Sequence, residues 1–253
     1  MIARIDRKTA ERLLEGANDV FALKIASNLQ AYDGYDFHEV YGGQGLLIGR
    51  YYNDLVIRTE GVISEEAAQK LALFLRVCGF KSALCGMETG MRLVSAGWDK
   101  AEKSVVLKFS KVLVPEEDDV VPFEDIVLNP ALDWVFPIIK DGFPDIDHDG
   151  WYVDMSHKVR HGVACVYLYN GATVTSAADM NGAVYLTLLA SSKAVRGTGA
   201  AKNLLRTLGM QFEKQGKEAY ILCRDELVPF YNKAGFYVSA NAMTVYNKQM
   251  RII

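Results

Sequence analysis

Two stretches of this 253-residue chain carry residue types whose spacing could do chemistry. The first is Val195-Arg196-Gly197-Thr198-Gly199-Ala200-Ala201. Two glycines and a run of small residues there precede an amphipathic segment. A glycine-rich turn that opens a helix leaves backbone N–H groups unpaired, next to the positive end of the helix dipole. That arrangement suits a pyrophosphate. The second, Leu227 to Phe236, follows the apolar segment Glu218–Cys223 and holds Phe230 and Tyr231. A phenol with an ordinary pKa near 10 stays protonated at neutral pH.

Three elements must position these residues. Residues 183–190 are apolar and rich in β formers, which predicts a strand leading into the glycine turn. Residues 200–215 place Ala201, Leu204, Leu205, Leu208 and Phe212 on one stripe, with Gly216 as a stop, which predicts a helix leaving it. Residues 218–223 predict the next strand, which leads toward Tyr231.

The turn lacks the third glycine of a dinucleotide-binding Gly-x-Gly-x-x-Gly, because Lys202 stands there. It also lacks the Gly-Lys-Ser/Thr of a Walker loop. Its order Arg196-x-x-Gly199-x-Ala201 resembles the pyrophosphate loop of the GNAT superfamily, the acyl-CoA-dependent N-acyltransferases. Leu227-Val228-Pro229-Phe230-Tyr231-Asn232-Lys233-Ala234-Gly235-Phe236 is similar to that family's last helix, which commonly ends Phe-Tyr-x-x-x-Gly-Phe. The resemblance covers residues 120–250. One position departs from it: Arg224 stands where many members carry an asparagine that touches the pantetheine arm.

The resemblance implies a site. Arg196, Gly197, Thr198, Gly199, Ala200 and Ala201 would hold the pyrophosphate of acetyl-CoA or another acyl-CoA. Strand amides at Leu188, Leu189 and Ala190 would pair with pantetheine and polarise the acyl carbonyl. Tyr231 matches the tyrosine that faces the departing sulfur, and packing alone is its other reading. The activity implied is direct acyl transfer to a primary amine of a small molecule or peptide. A non-catalytic acyl-CoA sensor or docking module is the alternative. A third reading, an aminoacyl-tRNA-dependent peptidyltransferase, fits poorly with the acidic composition and the intact loop. The general base and the acceptor stay open, with Asp154 and His157 as acceptor-side candidates. No metal is expected.

The chain also repeats itself. Cys85 and Cys223, Gly97 and Gly235, and Trp98 and Phe236 are each 138 positions apart. An amphipathic helix precedes each copy; in the first, Ser64 is a natural N-cap and Leu71, Phe74, Leu75 and Cys78 form the stripe. An alternating strand follows each, with Val105, Leu107 and Phe109 in one and Met243 and Val245 in the other. At the same offset the loop becomes Arg58-x-x-Gly61-x-Ile63 and the tyrosine becomes Leu93. Thr59, Val62 and Ile63 are β-branched and disfavour a tight loop with inward amides. The expected architecture is therefore mixed α/β, with two tandem GNAT-like domains, each a mixed twisted sheet flanked by helices. Residues 1–114 form a degenerate GNAT-like domain, residues 115–123 an acidic linker, and residues 124–253 the acyl-CoA-binding domain. Helices over 129–139 and 149–160 are expected over the acceptor cleft.

A formal charge of −3 and a pI near 5.9 argue against nucleic acid or an anionic membrane as partner. No apolar run reaches the ~18 residues of a membrane span, and the first residues do not read as a signal peptide, so a cytoplasmic protein is expected. Cys78, Cys85, Cys165 and Cys223 have no paired spacing, and a core role is expected for most of them. Asp145-x-Asp147-x-Asp149 imitates a calcium loop but ends in Ser156, so it reads as a polar turn. Tyr32-Asp33-Gly34-Tyr35-Asp36 reads as a solvent loop or a substrate entrance.

Overall fold

A computed structural model describes residues 2–43, 45–98, 100–114 and 120–247. In chain order its elements are β1 (Ala3–Arg4), α1 (Arg7–Leu14), α2 (Val20–Tyr32), β2 (His38–Gly43), β3 (Leu46–Tyr51), β4 (Asp54–Thr59), α3 (Glu65–Val77), β5 (Ser82–Gly86), α4 (Met87–Ser95), β6 (Lys100–Phe109), β7 (Val127–Leu128), α5 (Leu132–Gly142), α6 (His148–Arg160), β8 (Cys165–Tyr169), β9 (Ala172–Met180), β10 (Ala183–Ser191), α7 (Ala200–Lys214), β11 (Glu218–Cys223), α8 (Val228–Lys233) and β12 (Phe236–Tyr246). The class is mixed α/β, as the sequence predicts. Most of the acidic segment 115–123 lies outside the described residues.

Contacts divide the chain into two compact units. One is built on Met1–Val106 with Ala240–Ile253, the other on Leu107–Ser239. In the first unit β1 to β4 pair antiparallel in sequence order, β4 and β5 run parallel, and β12 pairs antiparallel with β5 from Ala242↔Gly86 to Tyr246↔Ser82. In the second, β7 to β10 pair antiparallel, β10 and β11 run parallel, and β6 lies next to β11. Each final strand of the repeat thus serves the other copy's partner strand: 240–246 of β12 lie against β5, and 107–109 of β6 lie in the unit of β11.

Glycines key both insertions. A Cβ on Gly209 of α7 would sit 2.4 Å from the Phe109 ring, and one on Gly90 of α4 would sit 2.7 Å from Met243. Only glycine lets these helices approach the inserted side chains that closely. Phe109, Met243 and Val245 are all buried.

The helices form for the reasons their sequences give. Ser64 Oγ accepts from the Ala67 amide at 3.1 Å and caps α3, whose Ala68, Leu71, Ala72 and Leu75 are buried. Leu204, Leu205, Leu208 and Phe212 bury the inner face of α7. Two details differ from expectation. Cys78 is exposed and not part of the α3 stripe, because it is the C-cap and Gly79 (φ +71°) turns the chain away. Helix α5 starts at Leu132, not at 129: Asn129 donates its amide to Val166 O at 2.7 Å, and its side-chain Oδ1 accepts from the Val166 amide at 2.9 Å, which ties it to β8 just past the end of β7.

Candidate active site

The site lies in the second unit and begins with an irregularity in β10. Thr187 pairs with Thr175 of β9, and the next pair is Ala190↔Thr173. Leu188 and Leu189 therefore oppose the single residue Val174, a β-bulge. Leu188 accommodates it with φ +51°, which is uncommon for a side chain of that size. On the other edge, pairing with β11 runs from Ala183↔Glu218 to Leu186↔Ile221 and then ends, although β10 continues to Ser191 and β11 to Cys223. The two parallel strands part at the bulge. Strand groups past Leu186 have no β11 partner, and unpaired backbone groups of this kind need water or a ligand.

The glycine loop follows at once. A single 3-10 turn, Lys193–Val195, leads to Arg196 in extended conformation. Gly197 has φ +82° and Gly199 has φ +89°, and Gly199 is the N-cap of α7 with no side chain to cap it. A Cβ at either glycine would meet nothing within 4 Å. Their constraint is the left-handed backbone, not packing. The first amides of α7 are consequently left for an external acceptor. The loop is anchored from α5: Arg196 Nη2 donates to the Asp141 carbonyl at 2.5 Å, and the Lys193 amide donates to Asp141 Oδ2 at 3.0 Å. That amide holds the Asp141 carboxyl below its usual range.

A cavity of about 740 Å³ joins these parts. Leu189, Ala190, Arg196, Gly197, Gly199, Ala200 and Ala201 line it, and Tyr231 lines it from α8. Leu188 and Thr198 do not. Leu188 packs against the cluster of Val135, Ile139, Trp151 and Met155, and Thr198 Oγ1 donates to Val195 O at 2.8 Å, bracing the loop from within. The lining also holds residues to which the sequence assigned no site role: Gly142, Leu227 and Phe230, and the cations Lys202 and Lys233. With Arg196 these make three cations and no carboxylate, a setting that favours a polyanion. In the sequence Lys202 stands one step beyond the loop motif, and Lys233 is one of the unspecified positions inside the helix motif.

Tyr231 is 7 % exposed and packs edge-on to Phe230 and Phe236. Burial is the main cause that pushes its phenol well above the ordinary value, with Cys223 and Tyr185 adding to it. It is a proton donor, not a phenolate. Cys223 is buried too; burial first, then Asp225 and Glu226, push its thiol up to about 11. A thiol protonated at neutral pH is a poor nucleophile.

Asp154 and His157 are on α6 and do not line this cavity. Asp154 pairs with the buried Lys158 at 3.2 Å, and His157 stacks on His161 with ring centroids 4.1 Å apart. Asp147 caps α6 through the Gly150 amide at 2.7 Å, so the calcium-like run is a polar turn. Among the described residues no group of three or more His, Cys, Asp or Glu side chains could hold a metal ion, and no helix is long and apolar enough to cross a membrane. Tyr32 is buried and its loop is a cluster of rings: Phe37 stacks on Tyr52 at 4.5 Å, and Tyr32 meets Tyr35, Phe37 and Tyr51 within 6 Å.

The corresponding position in the first unit is built differently. Gly61 keeps a positive φ of +85°, but α3 starts only at Glu65, behind buried Ile63 and the Ser64 cap. Its first turn carries Glu65 and Glu66. Arg58 turns to Asp19 at 2.6 Å. Strand β4 pairs with β3 from Tyr51↔Asp54 to Leu46↔Thr59 with no register shift, so the bulge is missing. Leu93, at the tyrosine position, is fully buried.

Comparison with known proteins agrees with this geometry. Residues 145–249 match the family model described as an acetyltransferase (GNAT) domain. No curated protein sequence matches the chain. Among solved structures, a GNAT-family acetyltransferase from Colwellia psychrerythraea superposes with a TM-score of 0.60 at 13% identity, covering 98% of this chain and 100% of that one. A GCN5-related N-acetyltransferase from Sphaerobacter thermophilus gives 0.61 at 13% identity over 97% and 94%. A tandem GNAT protein from the clavulanic acid biosynthesis pathway gives 0.59 at 7% identity over 97% and 98%. The chain therefore carries a GNAT acetyltransferase domain over residues 145–249, and along nearly its whole length it has the fold of GNAT proteins.

Proposed function

We propose that this protein transfers an acetyl or other acyl group from acyl-CoA to a primary amine of a small molecule or peptide, by direct attack with both substrates bound. The observation that carries the proposal is the single cavity shared by the bulged end of β10, the positive-φ glycine loop and Tyr231. When bound, acetyl-CoA supplies a thioester already activated toward amines. The residues fit such a ligand: three cations and the uncapped α7 terminus face its phosphates, and Leu189 and Ala190, past the end of the β11 pairing, face an amide-bearing arm. Leu188 contributes through the bulge itself, which turns the strand away from β11.

In this reading the backbone N–H groups of 188–190 also polarise the acyl carbonyl, an oxyanion-type contribution. The amine nitrogen attacks the thioester carbon and loses a proton to solvent, the C–S bond breaks, and the Tyr231 hydroxyl gives its proton to the departing thiolate and regains one from solvent. Cys223, held protonated, takes no covalent part. Juxtaposition of amine and thioester supplies much of the acceleration. Residues 124–253 are the acyl-CoA-binding half of the proposed tandem and residues 1–114 its degenerate copy, with final strands exchanged. The acceptor expectation for Asp154 and His157 draws no support from this cavity.

The test is a panel of small amines and peptide N-termini with acetyl-CoA, read by release of free thiol. Amine-dependent thiol release that Tyr231→Phe slows is the expected result. Tight acetyl-CoA binding with no turnover across the panel would favour the sensor reading instead.

A further inference from the structure

Arg206 lies in the middle of α7 and is only 3 % exposed. A mid-helix arginine is ordinarily a surface residue, and a buried guanidinium is retained only where it is well hydrogen-bonded. Here Nε and Nη2 both donate to one acceptor, the carbonyl of Lys233, at 3.1 and 2.5 Å. Lys233 is the last residue of α8, so the cation sits on the negative end of that helix as well as on its terminal carbonyl. Helix α8 has only six residues, too few to hold its shape and place by its own hydrogen bonds. It nevertheless carries Tyr231 and Phe230, which wall the cavity, and Lys233 itself lines it.

The first unit supplies an internal control. At the offset of 138 positions, Arg206 corresponds to Ala68 and Tyr231 to Leu93. Both are buried in the first unit's core. The half that lacks the tyrosine also lacks the arginine, although the surrounding helix is kept.

We propose that Arg206 is a positioning residue: by clamping the C-terminus of α8 it fixes the Tyr231 hydroxyl at the cavity wall. This rests on the acyltransferase reading, in which Tyr231 protonates the leaving thiolate. A residue that acts this way should change turnover more than cofactor affinity, because the hydrogen bonds it gives Lys233 go to α8 and not to the pyrophosphate loop, which ends at the start of α7 about two turns before Arg206.

The experiment compares the full-length protein with Arg206→Met, which keeps the volume and loses the donors. Three quantities are read: the acetyl-CoA dissociation constant by calorimetry, kcat with an accepted amine, and the ring resonance of Tyr231 in protein carrying 13C-labelled tyrosine, assigned with Tyr231→Phe. The expected result is a shifted Tyr231 resonance and a kcat lowered roughly tenfold or more, with the dissociation constant within about threefold of wild type. Arg206→Lys, which keeps a cation and one reaching donor, should recover part of both. Should Arg206→Met not fold, Arg206→Gln, too short to span to Lys233, is read in the same way. A Tyr231 resonance at its wild-type position with unchanged kcat, even in a protein of lower melting temperature, overturns the inference and makes Arg206 a stability residue. The resonance does not depend on activity, so it decides the clamp separately. Wild-type protein that fails to bind acetyl-CoA would instead sink the underlying reading.

Discussion

Helices α3 and α7 occupy matching places in the repeat, yet their N-termini have opposite chemistry. Helix α7 starts directly at a left-handed glycine and leaves its amides uncapped, among three cations. Helix α3 starts three residues later relative to the repeat, behind a hydroxyl cap, with two carboxylates in its first turn. The α3 terminus satisfies its own dipole and donors, and its charge repels phosphate. The α7 terminus is left unsatisfied by the protein. The same glycine, Gly61 or Gly199, is thus insufficient by itself. In the proposed reading, what separates a binding loop from a folded-over one is whether the chain's own side chains satisfy the helix end. The strands agree: β10 is bulged and parts from β11, whereas β4 pairs with β3 without interruption.

The largest effect should come from the exchanged strands, which test whether the two halves depend on each other equally. Phe109→Ala removes a buried ring from the slot at Gly209 and should cost about 3–5 kcal/mol in denaturant unfolding. Met243→Ala, at the Gly90 slot, should cost about 2–5 kcal/mol. A loss under 1 kcal/mol at either position would mean that its slot is not a keyed contact.

Next come the two loop glycines. Gly199→Val places a β-branched residue at φ +89° and should weaken acetyl-CoA binding roughly a hundredfold while the protein stays folded. Gly61→Val imposes the same backbone strain at φ +85° and should cost roughly 1–3 kcal/mol of stability with no change in acetyl-CoA affinity. Equal affinity losses at both glycines would erase the distinction between the loops.

Tyr231→Phe should lower kcat roughly ten- to a thousand-fold and leave the acetyl-CoA dissociation constant nearly unchanged. The hydroxyl also has a stability signature. Burial raises its folded pKa above the unfolded value near 10, so folding favours the protonated form. Its contribution is complete below pH 10 and is lost as pH rises toward the folded value. Alkaline unfolding above pH 10 should therefore be less steep in Tyr231→Phe, and the wild-type kcat should not fall between pH 7 and 9 through loss of this proton. Leu93, its counterpart, has no such group.

The smallest effect belongs to the capped terminus. Ser64→Ala removes the acceptor of the Ala67 amide and should cost about 1 kcal/mol of stability. It should not create an acetyl-CoA site, because Glu65 and Glu66 remain.

Much of this was readable from local pattern. The strand expected over 183–190, the helix over 200–215 and the strand over 218–223 follow from periodicity and stop residues and are found over 183–191, 200–214 and 218–223, and the Ser64 cap and the loop glycines follow from residue type. The rest depended on partners distant in sequence. Nothing in Leu188-Leu189 announces a bulge, which arises from the register against Val174. Arg206 sits beside an apolar stripe and reads as solvent-facing until its bond to Lys233, 27 residues on, is seen. The alternation in 105–109 and 243–245 marks strands but not which copy each one serves, since pairing of β5 with β12 joins residues about 160 positions apart.

The central claim is that one helix terminus binds acyl-CoA and its counterpart does not. Calorimetric titration of the full-length protein with acetyl-CoA tests it most directly, through stoichiometry. The account predicts one site per chain, retained in Gly61→Val and lost in Gly199→Val. Two sites per chain, binding that survives Gly199→Val, or no saturable binding at all would contradict it.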